Sequence, residues 1–301
     1  MAFQETSSYT LNDLSFKLAK LACQAVSYEV ATFPKPGLVT PISTGAHEDM
    51  DYFTFINSTA ALHQYFLLFA EAGQSHDSLK EIFANIRHIG IEAEKAMFLA
   101  TNQVNTHKGM IFLMGICLAA TAKVVSDGLD FSQIQVVIKE MTVGLVLEDL
   151  KHLTKETAKS HGEKLYVNHR ITGVRGEVEA GLPTVFDHGL PYFESLEEPS
   201  LNKRLVLTLF KLMTLCDDTT IVHRHNVQKL MDVKELAKKV LVIYESQPEK
   251  FEGKLAEVED SFIRDLISPG GSADLLAVTA YLSFVQQDLF SVTDRLEDRD
   301  E

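Results

Sequence analysis

Residues 109–128 read GMIFLMGICLAATAKVVSDG, and the fold class turns on them. Between Lys108 and Lys123 no residue is charged, and the apolar side chains recur on every side of a helix rather than in one stripe. Gly128 stands where a helix stop is needed. A helix of this kind is covered all round, so other helices must pack on it. The uncharged run is shorter than the roughly 20 residues that span a bilayer, which makes it the core helix of a soluble protein.

The sequence on either side supplies those other helices. Leu14, Leu18, Leu21, Ala25 and Tyr28 repeat at helical spacing behind a capping pattern from Thr10 to Asp13. A second helix is predicted over 51–72 with its stop at Gly73, and Ser78 with Glu81 opens a third that runs towards Ala100. Beyond Gly128 helical patterns cover 132–159, 200–216, 233–245, 251–266 and 272–290. Alternating strand patterns are scarce. The expectation is therefore an all-α protein, a single multi-helix bundle over residues 1–301, with its chemistry in the inter-helix loops.

A net charge of -14 speaks against sequence-independent binding to nucleic acid or to anionic membranes, both of which need a broad basic surface. Cys23, Cys117 and Cys216 are odd in number, widely spaced and set among apolar residues, as free thiols in a reducing compartment are. The N-terminus, MAFQET, lacks the basic start and apolar stretch of a secretory signal, so a cytoplasmic location is expected.

Five inter-helix segments combine turn residues with charged or imidazole side chains. Segment 34–51 sets Lys35 between prolines and then offers His47, Glu48, Asp49 and Asp51, a cation and carboxylates suited to phosphate and metal. Segment 105–109 places His107 and Lys108 at the start of the buried helix, where free backbone N–H groups favour an anion. Segment 160–184 packs His161, Glu163, Arg170, Arg175, Glu177 and Glu179 among four glycines. Arg175 suits phosphate oxygens, and Glu177 suits a base or a metal ligand. Segment 217–226 pairs Asp217 with Asp218, hard oxygen donors for magnesium, ahead of His223, Arg224 and His225. Segment 268–274 leads through Gly270, Gly271 and Ser272 into the last helix, where backbone amides can approach an anion.

Taken in this order, the stretches PKPGLV, GAHEDM, NTHKG, HGE, GVRGE, HR and SPGGSADLLA resemble the triphosphoribosyl-dephospho-CoA synthase family, which serves citrate lyase and, in a related branch, malonate decarboxylase. The resemblance spans residues 34–280 and departs from the family pattern at Thr40, Pro41, Thr220, His225 and Asn226. It implies a helical enzyme that uses ATP as a ribosyl donor. The 2′-hydroxyl of dephospho-CoA displaces adenine, the triphosphate stays on the transferred ribose, and the product passes to the enzyme that loads it onto an acyl carrier protein. It further implies carboxylate roles for Glu177 and Asp49, and His161 or His47 as proton donor or orienting group. Lys35, His107, Lys108, Arg175, Arg224, Gly270, Gly271 and Ser272 are then expected on the substrates, and Asp217, Asp218 and Glu163 on magnesium. The absence of GxxxxGK[ST] agrees, because no phosphoryl group has to move.

Two other readings start from the same residues. A helical metal-dependent hydrolase would use histidines and aspartates around a metal, but the single His-Asp pair, His76-Asp77, sits in a polar helix-linking turn. A non-catalytic nucleotide-binding paralogue would account for the departures from the family pattern, though not for the retained lysine, arginine and histidine positions.

Overall fold

The computed structural model describes residues 12–291. Among them are fourteen α-helices and no sheet, and the one extended pairing is a bridge between Thr40 and Ser43. Helix α1 (Asp13–Ala31) starts from Asn12, whose Oδ1 accepts the Leu14 and Ser15 amides. Thr10, expected in that cap, lies outside the described residues. Capping boxes open α2 (Tyr52–Gly73) at Asp51 and Thr54, and α3 (Leu79–Ala100) at Ser78 and Glu81.

The central helix is α4 (Lys108–Ser126). By length and composition it is able to cross a membrane, which corrects the length argument above, yet 72% of its most apolar window is buried inside the protein. Leu113, Met114, Cys117, Leu118 and Ala119 are fully buried, as an all-round apolar helix requires.

The helix expected over 132–159 is broken. It divides into α5 (Gln133–Met141) and α6 (Leu145–Leu150), and residues 151–160 form no regular helix. Gly144, at φ 84, takes the left-handed conformation that ends the hydrogen-bond ladder. The Glu179 carboxylate then accepts the Gly144 and Val146 amides and satisfies the new helix start.

Segment 160–184, expected as a loop, instead holds α7 (His161–His169) and α8 (Gly173–Glu179). A π-helical turn, Thr184–Gly189, leads into α9 (Leu190–Ser195) and α10 (Leu201–Met213). Helix α11 (Thr219–Arg224) occupies most of the fourth segment, and α12 (Val227–Ser246) starts earlier than predicted because Asn226 caps it. The chain finishes with α13 (Phe251–Arg264) and α14 (Gly270–Leu289). One hydrophobic cluster runs from Leu18 of α1 to Val285 of α14. Helix α14 packs on α1, α4, α10 and α11, so its first turn lies where distant parts of the chain meet.

Candidate active site

The five motif segments converge on the start of α14. Asp218 makes the first link. It is buried, and its Oδ1 accepts the Thr220 and Ile221 amides as the N-cap of α11. Its Oδ2 accepts the backbone N–H of Ser272 at 2.9 Å and the Ser272 hydroxyl at 3.2 Å. Ser272 is therefore not a cap, since α14 begins at Gly270 and the fourth segment's aspartate holds its first turn. Burial pushes the Asp218 carboxyl up, and the hydrogen bonds from Ser272, Gly271 and Ile221 oppose the rise.

The first segment reaches the same place through His47. Its Nε2 lies 2.9 Å from the Ser268 hydroxyl, and its Nδ1 lies 3.0 Å from an Arg224 Nη, which also holds the Ala46 carbonyl at 2.9 Å through its other nitrogen. Arginine only donates, so Nδ1 must accept and Nε2 carries the proton towards Ser268. Burial and the Arg224 charge push His47 down to about 4, so the ring is neutral near pH 7. Arg224, expected on a substrate, spends its guanidinium on positioning this loop.

Lys35 is 1% exposed and forms an internal ion pair with Glu29 of α1. Burial lowers its pKa while Glu29 raises it, so the charge has a partner inside the protein rather than at a phosphate. This corrects the expectation that Lys35 contacts the triphosphate directly. His107 occupies the cap position of α4 and is also buried. The Thr106 hydroxyl donates to Ser58, which leaves the Ser58 proton for His107 Nδ1 at 2.7 Å. His107 Nε2 is left buried with no partner among the described residues. Burial and the Lys35 charge hold this imidazole down to about 3. At Gly109, in the first turn of α4, a Cβ would collide with Oδ2 of Asp274, so the glycine lets α14's carboxylate lie on the start of α4. Burial, Glu29 and Asp218 push Asp274 well above the usual carboxylate range.

Glu29 and Asp274 were not singled out from the sequence. Asp274 stands in SPGGSADLLA three residues after the glycine pair, with no neighbouring acid or histidine to mark it. Glu29 is an acid on the buried face of an amphipathic helix, and that mismatch was its only signal.

A cleft of about 240 Å³ opens beside this junction, lined by Thr172, Gly173, Glu177, Asp217, Asp218 and Gly271 among others. Glu177 accepts the Thr184 amide at 2.8 Å and the Thr184 hydroxyl at 3.1 Å, which fixes its carboxylate. Burial raises its pKa; Thr184 lowers it, and the nearby Asp217 and Asp187 add to the rise. Arg175, two residues earlier in α8, donates from Nε to Asp149 at 2.8 Å, and Arg87 holds the same carboxylate.

Other expected residues stand apart from the cleft lining. Lys108 pairs with Glu94 on α3 at the surface. Asp49 is mostly exposed and lies 3.8 Å from His47 Nδ1. Glu163 closes the capping box that starts α7, and His161 opens that helix. The expected magnesium set is divided. Asp217 is exposed and pairs with Lys234 at 2.6 Å, whereas both oxygens of Asp218 are occupied by hydrogen bonds. Among the described residues no group of three or more His, Cys, Asp or Glu side chains is gathered to hold a metal ion.

Comparison with known proteins adds an independent line. The family model described as ATP:dephospho-CoA triphosphoribosyl transferase matches residues 15–291. A probable 2-(5''-triphosphoribosyl)-3'-dephosphocoenzyme-A synthase of Photobacterium profundum is 38% identical over 275 residues, covering 89% of this chain and 87% of the relative. A protein of the same description from Streptococcus mutans is 34% identical over 286 residues, covering 90% of this chain and 96% of the relative. No solved structure matches. The matched residues include all five segments that meet at the start of α14, and the chain belongs to the ATP:dephospho-CoA triphosphoribosyl transferase family.

Proposed function

We propose that this chain carries out its family's reaction in the cleft between α8, α11 and the start of α14. ATP and 3′-dephospho-CoA become 2′-(5″-triphosphoribosyl)-3′-dephospho-CoA, and adenine is released. The observation that carries this reading is the convergence itself: segments spread over the chain meet at one junction, through His47 with Ser268, Asp218 with Ser272 and Gly109 against Asp274, and Glu177 lines the cleft beside it.

The reaction forms a bond from the acceptor's 2′-oxygen to the anomeric carbon of the ATP ribose and breaks the bond to adenine. The hydroxyl proton leaves and the departing base gains one, through a transition state with oxocarbenium character. Glu177 is suited to take the hydroxyl proton. Thr184 fixes its orientation, and a raised pKa makes it a better base than an ordinary carboxylate once ionised. The triphosphate is assigned to the opening of α14 at Gly270, because the Gly271 and Ser272 amides are already drawn onto Asp218, and Arg175 of α8 is assigned as its cation. Magnesium is assigned as part of the ATP substrate, and Asp217 is the exposed carboxylate placed to meet it at the rim. His47, Arg224, Lys35 and Glu29 position the surrounding loops. The product is suited to transfer onto an acyl carrier protein, and the cytoplasm, which supplies both substrates, is the compartment this reading implies.

Incubation of the protein with ATP, magnesium and dephospho-CoA, followed by mass spectrometry, tests the proposal. Free adenine and a coenzyme product that retains the γ-phosphate label are expected. Release of labelled phosphate or pyrophosphate, or adenine release that does not depend on dephospho-CoA, would overturn it in favour of a hydrolase.

A further inference from the structure

A second groove, of about 220 Å³, lies outside the cleft and is lined by Lys155, Ala158, Lys164, Val167 and Asn168. It belongs to a stretch whose charge is opposite to that of the protein. Within residues 151–175 the cations are Lys151, Lys155, Lys159, Lys164, Arg170 and Arg175, against the two acids Glu156 and Glu163, in a chain of net charge -14. Elsewhere lysines tend to be paired, as in Lys95 with Glu92, Lys203 with Glu198 and Lys238 with Glu235. Among the described residues Lys155, Lys159 and Lys164 have no ion-pair partner, and Arg170 stacks on Tyr166. Glu163, the nearest acid in sequence, is turned back onto the Lys159 and Ser160 amides and does not neutralise the groove.

The groove offers two ammonium groups and an amide around apolar walls, without carboxylates for a metal. That set suits a doubly charged diphosphate more than a magnesium-bound triphosphate. Its position fits the acceptor. Asn168 is five residues from Gly173 of the cleft, so the two lie within roughly 18 Å of each other along even a fully extended chain. Dephospho-CoA carries its diphosphate on the ribose whose 2′-hydroxyl must reach Glu177. We propose that Lys155 and Lys164 hold the diphosphate of dephospho-CoA in this groove and so present its ribose to the cleft. This rests on the reaction assigned above.

The test is the Lys155→Gln/Lys164→Gln double variant of the full chain, with Lys80→Gln/Lys239→Gln as a surface-charge control. All four lysines are exposed, so the fold should persist, and an unchanged thermal midpoint would verify it. Loss of two charge-assisted contacts should raise the KM for dephospho-CoA by roughly tenfold or more, with the KM for ATP and kcat within about twofold of the parent. The control should match the parent. An unchanged KM for dephospho-CoA, or a KM for ATP that rises as much, would overturn the assignment. Calorimetric titration of dephospho-CoA into the same proteins reads the groove without turnover. If the parent releases no adenine, the reaction assignment fails while the titration still decides the groove.

Discussion

At the scale of single residues, protonation divides the site into groups that react and groups that hold. As the proposed base Glu177 can act only when ionised, and burial raises its pKa, so on that assignment the acidic limb of the kcat/KM profile should lie above the ordinary carboxylate value. Glu177→Gln keeps the size and loses the basicity. Its turnover should fall by roughly 10²–10⁴ with little change in ATP affinity, and that limb should disappear from the profile. A variant retaining both rate and limb would remove Glu177 from the base role. His47 titrates the other way. Its folded pKa is about 4 against 6.5 for the free group, so between those values the unfolded chain binds the extra proton. The stability owed to a neutral His47 is complete above pH 6.5 and is lost as the pH falls to about 4. Chemical denaturation across this range should show His47→Gln losing less stability on acidification than the parent. Equal losses would mean that the ring is not held neutral.

At the scale of elements, Asp218 connects α11 to α14, and this separates it from the adjacent Asp217. Asp218→Ala would leave the Thr220, Ile221 and Ser272 donors without their acceptor in a buried place, at a cost of about 3 kcal/mol or more, seen as a lowered thermal midpoint that added magnesium does not restore. Asp217→Asn should leave the midpoint nearly unchanged, because its pair with Lys234 is exposed on the carboxylate side, and should instead raise the magnesium needed for full rate. Rescue of Asp218→Ala by magnesium would make it a ligand after all. The sequence carried the type of the long helices well, because α2, α3 and α4 announce themselves by capping boxes, apolar pattern and glycine stops. It carried the shorter elements poorly. Glu179, which supports the break at Gly144, is distant in sequence, so local periodicity over 132–159 had nothing to report it. The segments that form the site were legible as motifs, but their partners were not. Nothing local says that Lys35 turns inward to Glu29, or that Gly109 is there to admit Asp274.

At the scale of the whole molecule, the junction at α14 depends on contacts between residues far apart in the chain, such as Asp218 with Ser272 and His47 with Ser268. A site of this kind exists only while the helices that carry it stay packed, so we propose that α1, α4 and α14 form one cooperative unit. Their shared hydrophobic cluster supports this, whereas residues 151–172 contribute few buried side chains, chiefly Ala158 and Leu165. Hydrogen exchange separates the two regimes, because amides opened only by global unfolding share one slow rate and locally opened ones exchange earlier. The amides of α4 and α14 should therefore exchange together and last, and those of residues 151–172 early. Dephospho-CoA should slow exchange in that early segment, whereas magnesium and ATP should act on the start of α14. If α14 exchanged well before α4, the C-terminal helix would be a separately opening element and the cooperative unit would not include it. If dephospho-CoA left residues 151–172 unprotected, the acceptor would have to enter the cleft from another side.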